Sequence, residues 1–215
     1  PISSTALNWH GIKSIDTAGS VGQYASLGTY MGNIYIAYYD ETNTNLKVTR
    51  SSNYGATWTA STVISTTMDV GRYASLGVYQ NNVYVSSWVI DTDRSSVVFK
   101  SSADSGATWG GTLSPVPLTT GMARGQHAAL GQVSGGFFAI AYHDGNDTSI
   151  RVAATTAPAT IPWTTNTEVD NSADVGQGIA LLAESPYRVV IAYIDATGND
   201  VRSEEHTSEL QSPNT

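Results

Sequence analysis

Short runs of apolar residues alternate with clusters of Gly, Asp, Asn, Ser and Thr along most of this chain. The run "IYIAYYD", which ends at Asp40, and the run "LKVTRS" are separated by a short polar gap. No segment has the apolar spacing of an amphipathic helix, whereas the runs have the length and the Val, Ile, Tyr and Thr content of strands. The pattern predicts an all-β protein.

The apolar runs recur with a period of about fifty residues. The segment "VGQYASLGTY" at 21–30 returns as "VGRYASLGVY" at 70–79, as "RGQHAALGQV" at 124–133 and weakly as "VGQGIALLAE" at 175–184. Two markers run in phase with it: a tryptophan (Trp9, Trp58, Trp109 and Trp163) and an aspartate that ends the next apolar run (Asp40, Asp91, Asp144 and Asp195). Markers in phase indicate one structural unit that is built several times.

Each unit contains four short strands, which is the pattern of a β-propeller blade. The first strand has small residues at its centre, such as Ala25-Ser26 and Ala74-Ser75, where the innermost strands of neighbouring blades crowd around an axis. The second strand is apolar on both faces, which is typical of a strand that lies between neighbouring sheets. The predicted fold is a β-propeller of four-stranded antiparallel blades.

Counting strands divides residues 1–202 into blades. The predicted segments are an outer strand at 5–15, complete blades at 16–66, 67–119 and 120–170, and a partial blade at 171–202. We expect these blades to form an arc of a ring of six or seven. A four-bladed ring, in which the N-terminal strand completes the last blade, is the alternative.

A polar turn with a fixed spacing precedes two of the tryptophans. It reads Ser102-x-Asp104-x-Gly106-x-Thr108-Trp109 in one unit and Ser51-x-Asn53-x-Gly55-x-Thr57-Trp58 in the unit before it. In the first of these, Gly106 tolerates a positive φ, Asp104 is a short acceptor for turn amides, and Trp109 buries a ring against the blade. We expect both turns to close their blades in the same way.

This spacing resembles the Asp-box of the sialidase (BNR-repeat) superfamily, and the resemblance implies a sialidase-like β-propeller. Active members of that superfamily use three arginines on the substrate carboxylate, a Tyr-Glu nucleophile pair and an Asp acid, and they carry an Arg-Ile-Pro motif. This chain has no Arg-Ile-Pro. Glu41, near Tyr39, is the only glutamate predicted on the face where such a site lies.

The charge pattern argues against nucleic acid as a partner. The 215 residues carry 10 Lys and Arg against 18 Asp and Glu, a net charge of −8, and the basic residues are scattered singly. No apolar stretch is long enough to span a membrane, so we expect no membrane insertion. The chain has no cysteine and forms no disulfide. Its start, without Met or a signal-peptide core, is expected to be internal to a longer chain.

The C-terminal residues break the repeat pattern. Arg202 to Ser212 read "RSEEHTSELQS", which matches the translation of a common short-read sequencing adapter residue for residue. We therefore expect residues 203–215 to be an artefactual or disordered tail. The natural reading frame is expected to continue differently after this point.

Aromatic and polar residues gather at one end of the predicted first and second strands, on the face where propellers usually bind ligands. A pyranose offers an apolar face for stacking and hydroxyls for hydrogen bonds, so this mixture suits sugar recognition. Arg72 and Arg124, in adjacent blades, are placed to hold a carboxylate together. The candidate ligand-binding residues are Tyr24, Tyr39, Asp40, Arg72, Tyr73, Arg124, His127, His143 and Asp144.

Structural roles compete with these assignments. The recurring Asp is also typical of a turn former that accepts hairpin amides. Tyr24 and Tyr73 are also candidates for packing between blades, and His127 and His143 for buried structural residues. The segments "DGNDTS" and "DTDRS" lack the ligands of a calcium loop, so we expect no metal and no cofactor.

Three functions fit the pattern. We favour a non-catalytic propeller of an extracellular or cell-surface bacterial protein, which binds a glycan or a surface protein through its loop face, because near-identical units suit binding and active sites break repeat symmetry. The alternative, implied by the resemblance, is a fragment of an exo-sialidase-type glycoside hydrolase. The third is an architectural spacer. No catalytic residue is assigned, and the oligomeric state is left open.

Overall fold

The computed structural model describes residues 12–66, 68–91, 94–110, 119–120, 124–133, 136–156, 163, 165–185 and 188–207. The regular elements of this part of the chain are fifteen β-strands. No helix in these ranges has the length and hydropathy that crossing a membrane requires.

The strands form four antiparallel sheets, each ordered as its strands follow in the chain. Sheet 1 contains β1 (Val21–Tyr30), β2 (Asn33–Asp40), β3 (Asn45–Ser51) and β4 (Thr62–Ser65). Sheet 2 contains β5 (Asp69–Tyr79), β6 (Asn82–Asp91), β7 (Arg94–Ser102) and β8 (Thr119–Thr120). Sheet 3 contains β9 (Arg124–Val133), β10 (Phe137–Asp144), β11 (Ser149–Thr155) and β12 (Thr165–Asp170). Sheet 4 contains β13 (Val175–Ser185), β14 (Arg188–Asp195) and β15 (Asp200–Thr207).

The inner strands β1, β5, β9 and β13 lie side by side in that order, so the four sheets are successive blades. The second strands β6 and β10 are buried along most of their length, as a strand between two sheets must be. The all-β propeller fold is therefore confirmed. The flanks of the arc are open, since Leu27 on β1 is 61% exposed and Leu182 on β13 is 55% exposed. Among the described residues, the inner strands β1 and β13 present these leucines to solvent, and the number of blades in the ring stays a prediction.

Leucine and glycine bring neighbouring inner strands into close contact. A Cβ built on Gly28 would lie 2.3 Å from Leu76 Cδ2 of the next sheet, and one on Gly131 would lie 2.0 Å from Leu181 Cδ2. At Gly77 the nearest neighbours are Gln132 Oε1 at 3.1 Å and Leu130 Cδ2 at 3.6 Å. The glycine of each of the first three inner strands thus leaves a space for the leucine of the next inner strand.

The small serine before that leucine adds a hydrogen bond across the same interface. Leu76 N donates to Ser26 Oγ at 3.0 Å, and Leu130 N donates to Ser75 Oγ at 2.9 Å. A β-strand amide that faces a neighbouring sheet has no strand partner there, and the hydroxyl supplies one. The small central residues of the first strand therefore serve both close approach and hydrogen bonding.

Residues before β1 lie against sheet 1. Residues 12–15 of the predicted outer strand are not in a strand, and its residues 5–11 lie outside the described residues. Tyr38 OH donates to Asp16 Oδ2 at 2.6 Å, and Lys47 Nζ donates to the same oxygen at 2.5 Å. These two contacts hold the pKa of Asp16 well below its usual range.

The same arrangement recurs at the fourth sheet. Tyr193 OH donates to Asp170 Oδ2 at 2.8 Å, and Arg202 Nη1 donates to the same oxygen at 3.0 Å. Asp170 is the last residue of β12, in the sheet before. Asp16 therefore contacts sheet 1 in the same way that Asp170, at the end of the outer strand β12, contacts sheet 4.

Strand β15 continues past the predicted end of the propeller. It pairs with β14 from Asp200 to Thr207, so Ser203 to Thr207 form a strand, and residues 208–215 lie outside the described residues. The residue types of this strand differ from those of two earlier third strands. Lys47 and Arg151 are each followed by valine, whereas Arg202 is followed by Ser203.

The two polar turns share all but one of the hydrogen bonds described for them. In each, the serine Oγ accepts from the glycine amide at 2.8 Å, as Ser51 does from Gly55 and Ser102 from Gly106. The glycines have φ of 84° and 82°, so the predicted positive φ of Gly106 is confirmed. The Thr57 amide donates to Asn53 Oδ1 at 2.8 Å.

Asp104 and Asn53 differ in one hydrogen bond. The Thr108 hydroxyl donates to Asp104 Oδ2 at 2.6 Å, whereas Asn53 Nδ2 donates to the Thr57 hydroxyl at 2.9 Å. The hydroxyl reverses its role because it both donates and accepts. Hydrogen bonds from the Thr108 side chain and amide and from Ser102 lower the pKa of Asp104 to about 2.

The leucine–glycine contact predicts strong coupling between two positions. Gly131→Ala should lower the free energy of unfolding by about 1–3 kcal/mol, because the new Cβ overlaps Leu181. Leu181→Ala should remove most of this additional penalty in the double mutant, as a denaturant-based double-mutant cycle measures. Leu182→Ala, at an exposed position, is the control. Additive effects of Gly131→Ala and Leu181→Ala would contradict the contact.

The difference between the turns predicts a change in acid sensitivity. The pKa of Asp104 is lower in the folded state than in the unfolded state, so its contribution to stability is present above about pH 4 and lost as the pH falls towards 2. Asp104→Asn should fold at pH 7 with the Asn53 arrangement and should flatten the pH dependence of urea unfolding between about pH 4 and 2. Unchanged acid dependence in this variant would show that Asp104 does not carry it.

Candidate functional site

Each inner strand bends near its start, at the end where the hairpins between second and third strands lie. The pairing of β1 with β2 shifts register between Val21 and Gln23 and again between Gln23 and Ser26, and β5, β9 and β13 carry similar irregularities. Tyr24, Tyr73 and His127 have φ of 53°, 53° and 54°, and Gly178 has the same conformation in the fourth sheet. A left-handed backbone is uncommon for residues with large side chains and costs about 1–2 kcal/mol.

This conformation brings three rings from three sheets together. The ring centroids of Tyr24 and Tyr73 are 4.8 Å apart, and those of Tyr73 and His127 are 4.4 Å apart. We call these three residues the aromatic row. Tyr24 is 41% exposed, and Tyr73 and His127 are half-buried, so the row borders solvent. Strained residues that repeat at one place in successive sheets mark a candidate functional site.

A second tier of rings supports the row from the second strands. Tyr39 lies behind Tyr24 at 6.3 Å between centroids, Trp88 behind Tyr73 at 5.9 Å, and His143 behind His127 at 6.4 Å. In sheet 4, Gly178 and Ile194 take these places, and the rings end there. The second tier is buried, so Tyr39, at 1% exposure, is a packing residue and is inaccessible to a ligand in this structure.

Arg72 forms an ion pair with Asp69 and a cation–π contact with Tyr39. Its Nη2 lies 3.0 Å from Asp69 Oδ2, and its guanidinium lies 5.2 Å from the centroid of the Tyr39 ring. Tyr39 OH donates to Asp69 Oδ1 at 2.8 Å. The side chain of Arg124 is outside the described part of the chain, where β9 begins opposite Asp144. Joint carboxylate binding by the two arginines therefore stays a prediction.

Asp40 and Asp144 form hairpin turns, in which they are buried at 1% and 0% exposure. Asp40 Oδ1 accepts from the Asn43 amide at 3.1 Å, and Asp144 Oδ1 accepts from the Asn146 amide at 3.3 Å. Asp195 likewise accepts from two amides of its own hairpin, each at 2.9 Å. The prediction that Asp40 and Asp144 bind a ligand is corrected. Their carboxylates accept hydrogen bonds from turn amides that would otherwise lack a partner.

His143 is buried, with 6% exposure, and neither of its ring nitrogens makes a hydrogen bond within the described residues. Its Nε2 lies 3.5 Å from Asp174 Oδ1, which belongs to the segment that leads into β13. Burial, followed by the neighbouring His143, lowers the pKa of His127. A neutral His127 ring can stack on a sugar face and can both donate and accept a hydrogen bond.

Carboxylates also lie near the row: Glu41, which the sequence places on this face, and Asp69 and Asp174, which it did not single out. Glu41 Oε2 accepts from Gln23 Nε2 at 2.8 Å, beside Tyr24, and from Ser20 Oγ at 2.6 Å. Asp69 and Asp174 both directly precede the Val-Gly that opens an inner strand. This shared position in the sequence could have identified both aspartates, because the Val-Gly marks the end of the inner strand at which the row lies.

Tyr39 and Glu41 do not form a nucleophile pair. Tyr39 OH bonds to Asp69, whereas Glu41 bonds to Gln23 and Ser20. Burial, followed by the hydrogen bond to Asp69, raises the pKa of Tyr39, which disfavours the phenolate form that a nucleophile needs. Within the described ranges, no three His, Asp or Glu side chains are grouped to hold a metal ion.

Solved structures similar to this chain are carbohydrate-active enzymes. A Hadza microbial sialidase is 15% identical with a TM-score of 0.53, over 84% of this chain and 42% of its own. An exo-1,5-α-L-arabinanase from a bovine ruminal metagenomic library is 8% identical with a TM-score of 0.55, over 94% and 76%. An exo-β-1,3-galactanase from Phanerochaete chrysosporium is 12% identical with a TM-score of 0.57, over 89% and 48%.

At these identities the likeness shows the fold alone. No family model and no curated protein matches the sequence. The chain spans less than half the length of the sialidase and of the galactanase. It therefore has the propeller fold found in enzymes that act on glycans.

The lowered pKa of His127 predicts a pH dependence of stability. The unfolded chain takes up this proton first, so the free energy of unfolding should fall as the pH drops from about 7 to 5, through the ordinary histidine pKa. His127→Asn, which tolerates a positive φ, should reduce that slope in urea unfolding curves. Equal slopes for the two proteins would contradict the burial of a neutral His127.

Proposed function

We propose that this chain is a glycan-binding propeller module and that the aromatic row is its binding surface. The observation that carries the proposal is the repeated left-handed backbone at Tyr24, Tyr73 and His127. Backbone strain at equivalent positions persists only where the surrounding structure maintains it, and here its effect is to join three rings at one end of the arc. Contiguous rings beside amides and carboxylates match the apolar face and the hydroxyls of a sugar.

Binding without catalysis is the role that these residues support best. The buried Tyr39 is unsuited to nucleophilic attack, and Glu41 lies apart from it. The similar solved structures include a sialidase, an arabinanase and a galactanase, which supports a glycan as the partner. An extracellular or cell-surface location in a bacterium, where such glycans are met, completes the proposal.

A glycan array tests this function with a backbone-matched substitution. Tyr24→Gly removes the most exposed ring of the row and also relieves its left-handed strain, so the variant should stay within about 1 kcal/mol of the parent in stability. Its affinity for the glycans that the parent binds should fall about tenfold, as loss of one stacked ring implies.

Tyr54→Gly is the matched control. Tyr54 is also exposed and also has a positive φ, 56°, but it lies in the polar turn at the opposite end of the blade. Its substitution should leave glycan binding unchanged. A parent protein that binds nothing on the array, or equal losses for the two variants, would refute the aromatic row as a glycan site.

A further inference from the structure

The electrostatics of the aromatic row indicate which sugars it accepts. Glu41 accepts a hydrogen bond from Gln23, the residue before Tyr24, and Asp174 Oδ1 lies 3.5 Å from Nε2 of His143, the ring behind His127. Within the described residues, neither carboxylate forms an ion pair with Lys or Arg. Asp69 in between neutralises Arg72. Burial lowers the pKa of His127 and so favours its neutral form, and among the side chains described here the charged groups near the row are the carboxylates and the paired Arg72.

The rings add to this polarity. The face of an aromatic ring is the negative side of its quadrupole, so a cation near the row is attracted by both the rings and the carboxylates. The net charge of −8 acts in the same direction over longer distances. An anionic sugar carries the same sign of charge as these carboxylates and is repelled by them.

We propose that the row recognises pyranoses that carry a positive charge, of the amino-sugar class, in preference to neutral sugars and against acidic ones. This inference rests on the proposed glycan-binding function. The amine would be held between Asp174 and the His127 end of the row, and the sugar ring would stack on the tyrosines. Selection arises from charge, since neutral and amino sugars present the same ring face.

Two ligands with the same sugar backbone, one with free amines and one with N-acetyl groups, test the proposal. Calorimetric affinities are compared for a glucosamine tetrasaccharide and its fully N-acetylated counterpart at about pH 6, below the ordinary pKa of an amine. The free amine should bind about tenfold more tightly at about 20 mM salt. The preference should shrink at about 500 mM salt, where the Debye length is only about 4 Å. A sialylated oligosaccharide should bind more weakly than its neutral parent.

Charge-removing variants locate the effect. Asp174→Asn and Glu41→Gln should each lower the affinity for the amine about threefold and leave that for the N-acetylated sugar unchanged. Asp104→Asn removes the same charge from the opposite face and should change neither. Equal or stronger binding of the N-acetylated or sialylated sugars would overturn the charge preference while the glycan function stands. Absence of binding to every glycan would refute the proposed function itself.

Discussion

The whole arrangement depends on how closely neighbouring inner strands approach one another. A leucine of one inner strand fills the space beside a glycine of the preceding inner strand. The serine two residues before that glycine accepts a hydrogen bond from a backbone amide of the following inner strand. Both contacts need small residues, so a single methyl group at Gly131 or Gly28 disturbs them. The distance between neighbouring inner strands also positions the residues at the strand ends, including the aromatic row.

The rings of the candidate site are a direct consequence. With inner strands held in close contact, residues at equivalent positions of successive strands lie within stacking distance, provided that their side chains turn toward each other. The left-handed backbone at Tyr24, Tyr73 and His127 supplies that turn. Fold and site are therefore linked by geometry, because a change in strand spacing would separate the rings as well as loosen the packing.

The sequence predicted the fold because its repeat is strong. The Tyr, Ile and Val content of the second strands, the small centres of the first strands and the turn glycines each have a local physical cause that reads directly from residue type. The sequence also offered the correct alternative for Asp40 and Asp144, since an aspartate that recurs in every unit is typical of a turn former.

The site was predicted less well, for two physical reasons. A tyrosine within a strand is expected to have extended backbone, so the left-handed conformation of Tyr24 and Tyr73 could not be read from residue type. Partners across sheets, such as Asp69 for Arg72 and Tyr39, depend on how blades are placed in space. The sequence placed Tyr24 and Tyr39 at the end of the strands where the row lies but did not separate the accessible Tyr24 from the buried Tyr39.

Leu182 has a consequence for how such a chain can grow. It stands where Gly28, Gly77 and Gly131 stand in the other inner strands. Duplicating an internal unit would reproduce a matched pair of surfaces and would need no compensating substitution. If a copy of any of these units followed sheet 4, the leucine of its inner strand would meet Leu182. A unit added there therefore has to carry a smaller residue in place of that leucine.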